Sequence, residues 1–152
     1  MKRRILALLA LSALLVGSIG IAVGLVGAMT RSHAGMTTLH VTLRQQAFSG
    51  VTGTATVTYD SASKKTTVKV TVNHLEPGSS HPAHIHAGNC TSNGPVLEPL
   101  TTIKADKNGI GVSTTTFAGS VINKAAHINV HMGPGLALTQ YTVLACGELG
   151  KA

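Results

Sequence analysis

The stretch Thr54–Val72, TATVTYDSASKKTTVKVTV, decides the fold class. Ala55, Val57 and Tyr59 alternate with threonines, and past the turn residues Tyr59-Asp60-Ser61-Ala62-Ser63, Val68, Val70 and Val72 alternate with Lys69 and Thr71. Successive side chains of a strand point to opposite faces, so a period of two gives each segment one apolar and one polar face. The pattern recurs outward from this hairpin. Leu39, Val41 and Leu43 alternate with His40, Thr42 and Arg44. Glu76-Pro77-Gly78-Ser79 reads as a turn, and Asp106-Lys107-Asn108-Gly109 as a hairpin turn leading into a strand over Ile110–Phe117. Further strands fit Ala83–His86, Val96–Ile103, Ala126–His131 and Tyr141–Cys146. The expected fold is all-β, an eight-stranded Greek-key β-sandwich or flattened barrel, preceded by an N-terminal hydrophobic helix.

That helix belongs to a leader of different composition, residues 1–34, ahead of a single domain over 35–152. Lys2-Arg3-Arg4 precedes an uncharged run of 25 residues, Ile5 to Met29, closed by Arg31, the pattern of a segment inserted with its N-terminus in the cytoplasm. The run is long enough to span a bilayer as an anchor, while Val26-Gly27-Ala28 and Ser32-His33-Ala34 resemble cleavage sites, so signal peptide and membrane anchor both stay open. Either way the domain is expected outside the cytoplasm, secreted or tethered. There a lone cysteine pair in a small domain is expected to be a disulfide, Cys90–Cys146. From Gly35 onward eight Lys or Arg face five Asp or Glu, 8 − 5 = +3, with two Phe and two Tyr in the whole chain. A charge so mild, without a basic cluster or stacking aromatics, argues against nucleic-acid binding.

The chemistry concentrates in HPAHIHAGNC, His81–Cys90. Residues i and i+2 of a strand project from one face about 7 Å apart, close enough for two imidazoles to meet one ion. His84 and His86 have that spacing, and Ile85 between them points to the core. His127, Asn129 and His131 share the polar face of a second strand, but His127 and His131 lie about 13 Å apart along a regular strand, so at most one joins the site. His81 has the wrong parity relative to His84 and precedes Pro82, which suits a supporting or loop position, and His127 is a second supporting candidate. His33, His40 and His74 read as surface residues. For an isolated H-x-H, solvated polar-face histidines are the plainer reading. The neighbouring cysteine and the second histidine strand favour a three-imidazole site for copper or zinc with a fourth position open.

The order of motifs resembles the copper/zinc superoxide dismutase family across nearly the whole domain. HLEPGSSHPAHIHAG, His74–Gly88, is similar to the segment with the first two copper ligands, which assigns that role to His84 and His86. CTSNGPVLEPL, Cys90–Leu100, resembles the disulfide loop, and ADKNGIGVSTTTF, Ala105–Phe117, the hairpin beyond the zinc loop. INVHMG, Ile128–Gly133, brings the last copper ligand as His131, and LACGELG, Leu144–Gly150, resembles the terminal strand with the second cysteine, Cys146. The resemblance implies copper on His84, His86 and His131, with superoxide as substrate. The family's bridging histidine is replaced by Val96, its zinc loop is deleted and its guiding arginine is replaced by Val143. A family-type zinc site is therefore not available, and activity below the family's is the expectation.

A second resemblance competes. His84-Ile85-His86-Ala87-Gly88, Asn93-Gly94-Pro95-Val96 and Asn129-Val130-His131 are similar to the CHRD domain, an extracellular β-module in which the histidines can be structural. Three functions follow from the two resemblances: a copper-only superoxide dismutase, a copper-binding protein without turnover, or a non-catalytic surface module.

Overall fold

The computed structural model describes residues 35–133 and 141–150. The leader over residues 1–34, with its expected helix and the choice between signal and anchor, lies outside the described residues. Among the described residues no helix is long and apolar enough to cross a membrane.

Among the described residues eight strands form in chain order: β1 (Met36–Gln45), β2 (Thr52–Asp60), β3 (Lys65–Asn73), β4 (Ser80–Asn89), β5 (Ser92–Lys104), β6 (Gly111–Ala118), β7 (Ala126–His131) and β8 (Val143–Glu148). They lie side by side as β5-β4-β7-β8-β1-β2-β3-β6, and every pairing is antiparallel. The two end strands approach each other through an Ala105–Gly111 bridge and a bond from Thr101 N–H to Thr115 Oγ1 at 2.7 Å, so the sheet nearly closes into a flattened barrel. The chain leaves β3 to build β4 across the barrel and returns to set β6 beside β3, a Greek-key path.

Local chemistry places the turns. The Asp60 carboxylate accepts from Ala62 N–H at 2.9 Å and from the Ser63 hydroxyl at 2.7 Å, folding β2 back onto β3. Asp106 Oδ1 accepts from Asn108 N–H at 2.8 Å and Ile110 N–H at 2.9 Å, and Gly109 takes the left-handed backbone, φ 74°, that the turn into β6 requires.

The alternation read from the sequence is the alternation of the core. Val57 pairs with Val68 and Ala55 with Val70 on the inner face of β2 and β3. Across the barrel Ala83 pairs with Val130 and Ile85 with Ile128, all four fully buried. Burying each Val or Ile side chain favours the fold by about 1.5–3 kcal/mol. With those residues facing inward, His84, His86, His127, Asn129 and His131 must face outward. Yet β7 is buried at every position. Its outer face is covered in turn, and that cover makes the site.

Candidate metal centre

Ile85 on β4 and Ile128 and Val130 on β7 hold the two strands in phase, so His84 lies opposite Asn129 and His86 opposite His127. Between Val130 and His131 the register against β8 shifts. Such a bulge re-aims the side chain that follows it. One ring nitrogen from each of His84, His86 and His131 lies within 4.8 Å of the other two, and the group contains no carboxylate. The ring centroids are 5.7 Å apart for His84 and His86, 5.2 Å for His84 and His131, and 6.0 Å for His86 and His131.

Backbone carbonyls fix two of the tautomers. His86 Nδ1 lies 2.9 Å from Gly94 O, and His131 Nδ1 lies 2.9 Å from Tyr141 O. A carbonyl only accepts, so each Nδ1 carries the proton and each Nε2 of the neutral ring keeps its lone pair. Those two Nε2 atoms, together with His84 Nδ1, are buried without a hydrogen-bond partner among the described residues. Burial pushes His84 below the ordinary histidine range, and His131 and His86 push it further. Burial lowers His131 too, with His86 adding and the Tyr141 carbonyl partly opposing. The donor set is therefore convergent, made of imidazole nitrogens alone and unpartnered among the described residues, which fits a late first-row metal ion.

The remaining histidines sort by their partners. His81 lies in β4, not in a loop, because a register shift between His81 and Ala83 carries the strand past the break in parity. It is buried, donates from Nδ1 to the backbone carbonyl of His131 at 2.9 Å and meets Ser79 Oγ through Nε2 at 2.6 Å, so it braces the strand end that presents His131. His127 is fully buried and stays outside the group of three. Its ring stacks on His86 at 5.5 Å with planes 21° apart, and its Nε2 bonds Asn93 Oδ1 at 2.9 Å. Burial lowers the affinity of His127 for a proton. His40 and His74 are exposed, and His33 lies outside the described residues.

Cys90 and Cys146 form a disulfide, with Cα atoms 5.9 Å apart. Cys146 pairs with Asn129 on β7, so the bond runs along the outer face beside the histidines. Val96 lies opposite His86 and Val143 opposite His131, which places uncharged side chains next to two of the three rings. Sequence reasoning had no role for Gly94 or Tyr141, which act through their carbonyls. Nor did it have one for Asn93, whose only signal was its place in the Asn93-Gly94-Pro95-Val96 stretch that is similar to the CHRD domain.

No curated protein matches this chain. The model of the CHRD domain matches residues 28–137, more than two-thirds of the chain. Of the two resemblances in the sequence, this match supports the second, and no comparison supports the copper/zinc superoxide dismutase family. The match covers more than half of the chain and takes in all three clustered histidines, and the chain belongs to the CHRD-domain family.

Proposed function

We propose that this chain is an exported CHRD module that holds one copper ion on His84, His86 and His131. The observation that carries the reading is the convergence of His84, His86 and His131, each with a buried ring nitrogen that no group among the described residues satisfies. Each such orphan costs about 1–3 kcal/mol, a large fraction of the ~5–15 kcal/mol by which a domain is stable. His81, by contrast, has partners at both nitrogens, and His127 Nδ1, which is also buried without a partner among the described residues, lies outside the converging group.

Copper is favoured over zinc by the donor set. Divalent copper stands above zinc in affinity for nitrogen sites, and structural zinc sites take four protein ligands where this group offers three. Bound copper would supply a one-electron redox couple. The protein's own part is to orient the rings: Gly94 and Tyr141 carbonyls hold the tautomers of His86 and His131, His81 braces the backbone, and burial keeps His84 and His131 uncharged. Export rests on the leader and on the disulfide, which an oxidising compartment sustains.

The test is the metal content of the full chain after copper loading and removal of loosely held ions, beside a His84→Ala/His86→Ala/His131→Ala variant. One retained copper, absent from the variant, is the expected result. No retained metal in a folded chain would leave a structural surface module. Superoxide dismutation is the reaction such a copper would host, and a superoxide assay on the loaded chain decides it. With Val96 and Val143 beside the rings there is neither a bridging imidazole nor a guiding cation, so the expected turnover is modest.

A further inference from the structure

We infer that Asn93 is a positioning residue of the histidine centre, its amide oxygen clamping His127 and Asn129 so that the wall against which His86 packs is fixed. Asn93 Oδ1 accepts from His127 Nε2–H at 2.9 Å and from Asn129 Nδ2–H at 3.0 Å. Both donors are almost wholly buried, 0% and 2% exposed, whereas Asn93 sits near the exposed tip of the β4–β5 hairpin. An exposed tip residue thus sends its amide down into the buried face.

Turn chemistry does not account for it. Asparagine is favoured in hairpins for tolerating positive φ, and Asn93 is not among the residues with that backbone. The tip is closed instead by Asn89, whose Oδ1 accepts from Thr91 N–H at 3.0 Å and from the Thr91 hydroxyl at 2.8 Å. Asn93 is left free for the inward contact.

The backbone fixes how far it reaches. A Cβ on Gly94 would stand 2.6 Å from the Ala87 carbonyl oxygen, so the hairpin lies against β4 at a distance that only glycine permits there. From this seat two consecutive residues hold three outward side chains: Gly94 O takes His86 Nδ1–H, and Asn93 Oδ1 takes His127 and Asn129. His127, stacked on His86, passes the constraint to one of the three clustered rings. Asn129 lies opposite His84, another of the three.

The copper part of this inference rests on the proposed function, but the clamp itself does not. The full chain is compared with Asn93→Ala, which removes the acceptor, and Asn93→Asp, which keeps an acceptor oxygen at the same reach. In the metal-free chains, long-range ¹H–¹⁵N spectra of the histidine rings report the His127 tautomer. Nε2–H is expected in the parent and in Asn93→Asp, and a mixed population in Asn93→Ala. In copper competition against a chelator, Asn93→Ala is expected to lose about 10–100-fold in affinity, as loss of a partner that orients metal ligands commonly does, while Asn93→Asp stays near the parent. Circular dichroism checks the fold, and Asn93→Ser, whose hydroxyl is too short to reach, takes the place of Asn93→Ala if that variant fails to fold. An unchanged tautomer in the folded acceptor-less variant overturns the inference. So does an equal loss in Asn93→Asp and Asn93→Ala. If no form retains copper, the copper reading fails and the spectra alone still judge the clamp.

Discussion

His84 shows what a binding site costs its own fold. No group among the described residues satisfies its Nδ1, and Nε2 of His86 and of His131 is in the same position. Replacing a buried, unsatisfied polar group by an apolar one of similar shape removes a desolvation penalty without losing a bond. His84→Leu is therefore expected to abolish copper retention while leaving the metal-free chain as stable as the parent or about 1 kcal/mol more so, measured by urea denaturation. A clear loss of stability would instead give His84 a structural role. The same rings set a pH dependence. Burial lowers the folded-state pKa of His84, His127 and His131 below the ordinary histidine value of about 6.5. Above that value neither state binds the protons. Below it the unfolded chain takes them up first, so stability falls as pH drops from the ordinary histidine range towards the lowered folded values. The melting temperature of the metal-free chain is expected to fall from pH 7.5 to pH 5.5. A flat profile would mean that the rings are not held neutral by burial. Spacing alone placed His84 and His86 on one face of β4 and allowed at most one of His127 and His131 on β7; the choice of His131 came from the resemblance, not from the spacing. The partners of these rings were not legible, because a carbonyl such as Gly94 O can belong to any residue that the fold brings near.

At the scale of the element, β4 carries two kinds of residue with opposite energetic roles on its two faces. Ile85 is fully buried between two outward histidines, so the core contact that holds the strand also sets the phase of the ligands. Ile85→Ala is expected to destabilise the chain by about 2–5 kcal/mol in urea denaturation, in contrast to His84→Leu one position away. Equal effects at the two sites would show that the faces are not divided as described. The period of two made the strands legible at Thr54–Val72 and at the remaining segments, with boundaries that shift by a few residues. It was misleading for β7, where Ala126–His131 alternates like a half-exposed strand and is buried throughout. Alternation records which face meets the core. It does not record that a hairpin returns to cover the other face, since that cover depends on contacts between residues such as Asn93 and His127, 34 positions apart. The same fold-back makes Gly94 sensitive. Gly94→Ala would press a methyl group into the Ala87 carbonyl and push the hairpin outward, so it is expected to weaken both stability and copper retention, checked by denaturation beside chelator competition.

For the whole molecule, the order of motifs along the chain was enough to read an eight-stranded Greek-key barrel, because each segment carried its own strand pattern and turn. The family was harder to read. Segments containing His84, His86 and His131 fit two resemblances at once; Val96 and Val143 stand at two places where the dismutase pattern requires a ligating or charged group, and the family match is to the CHRD domain. What joins the barrel's two kinds of order, core and site, is the disulfide. Cys90 closes the covering hairpin and Cys146 lies in β8, 56 residues away in sequence. Closing a loop of that length stabilises the fold by about 4 kcal/mol in the chain-entropy model. Because the bond also ties down the hairpin that bears Asn93 and Gly94, its loss should act on the site as well as on the fold. Cys90→Ala/Cys146→Ala is expected to lower unfolding stability by about 2–5 kcal/mol. At a temperature where that variant is still folded, it should release copper to a chelator faster than the parent does. Lower unfolding stability with unchanged copper release would confine the disulfide to stability. Faster release from a folded variant would show that the hairpin's attachment to β8 is part of how the three histidines hold their ion.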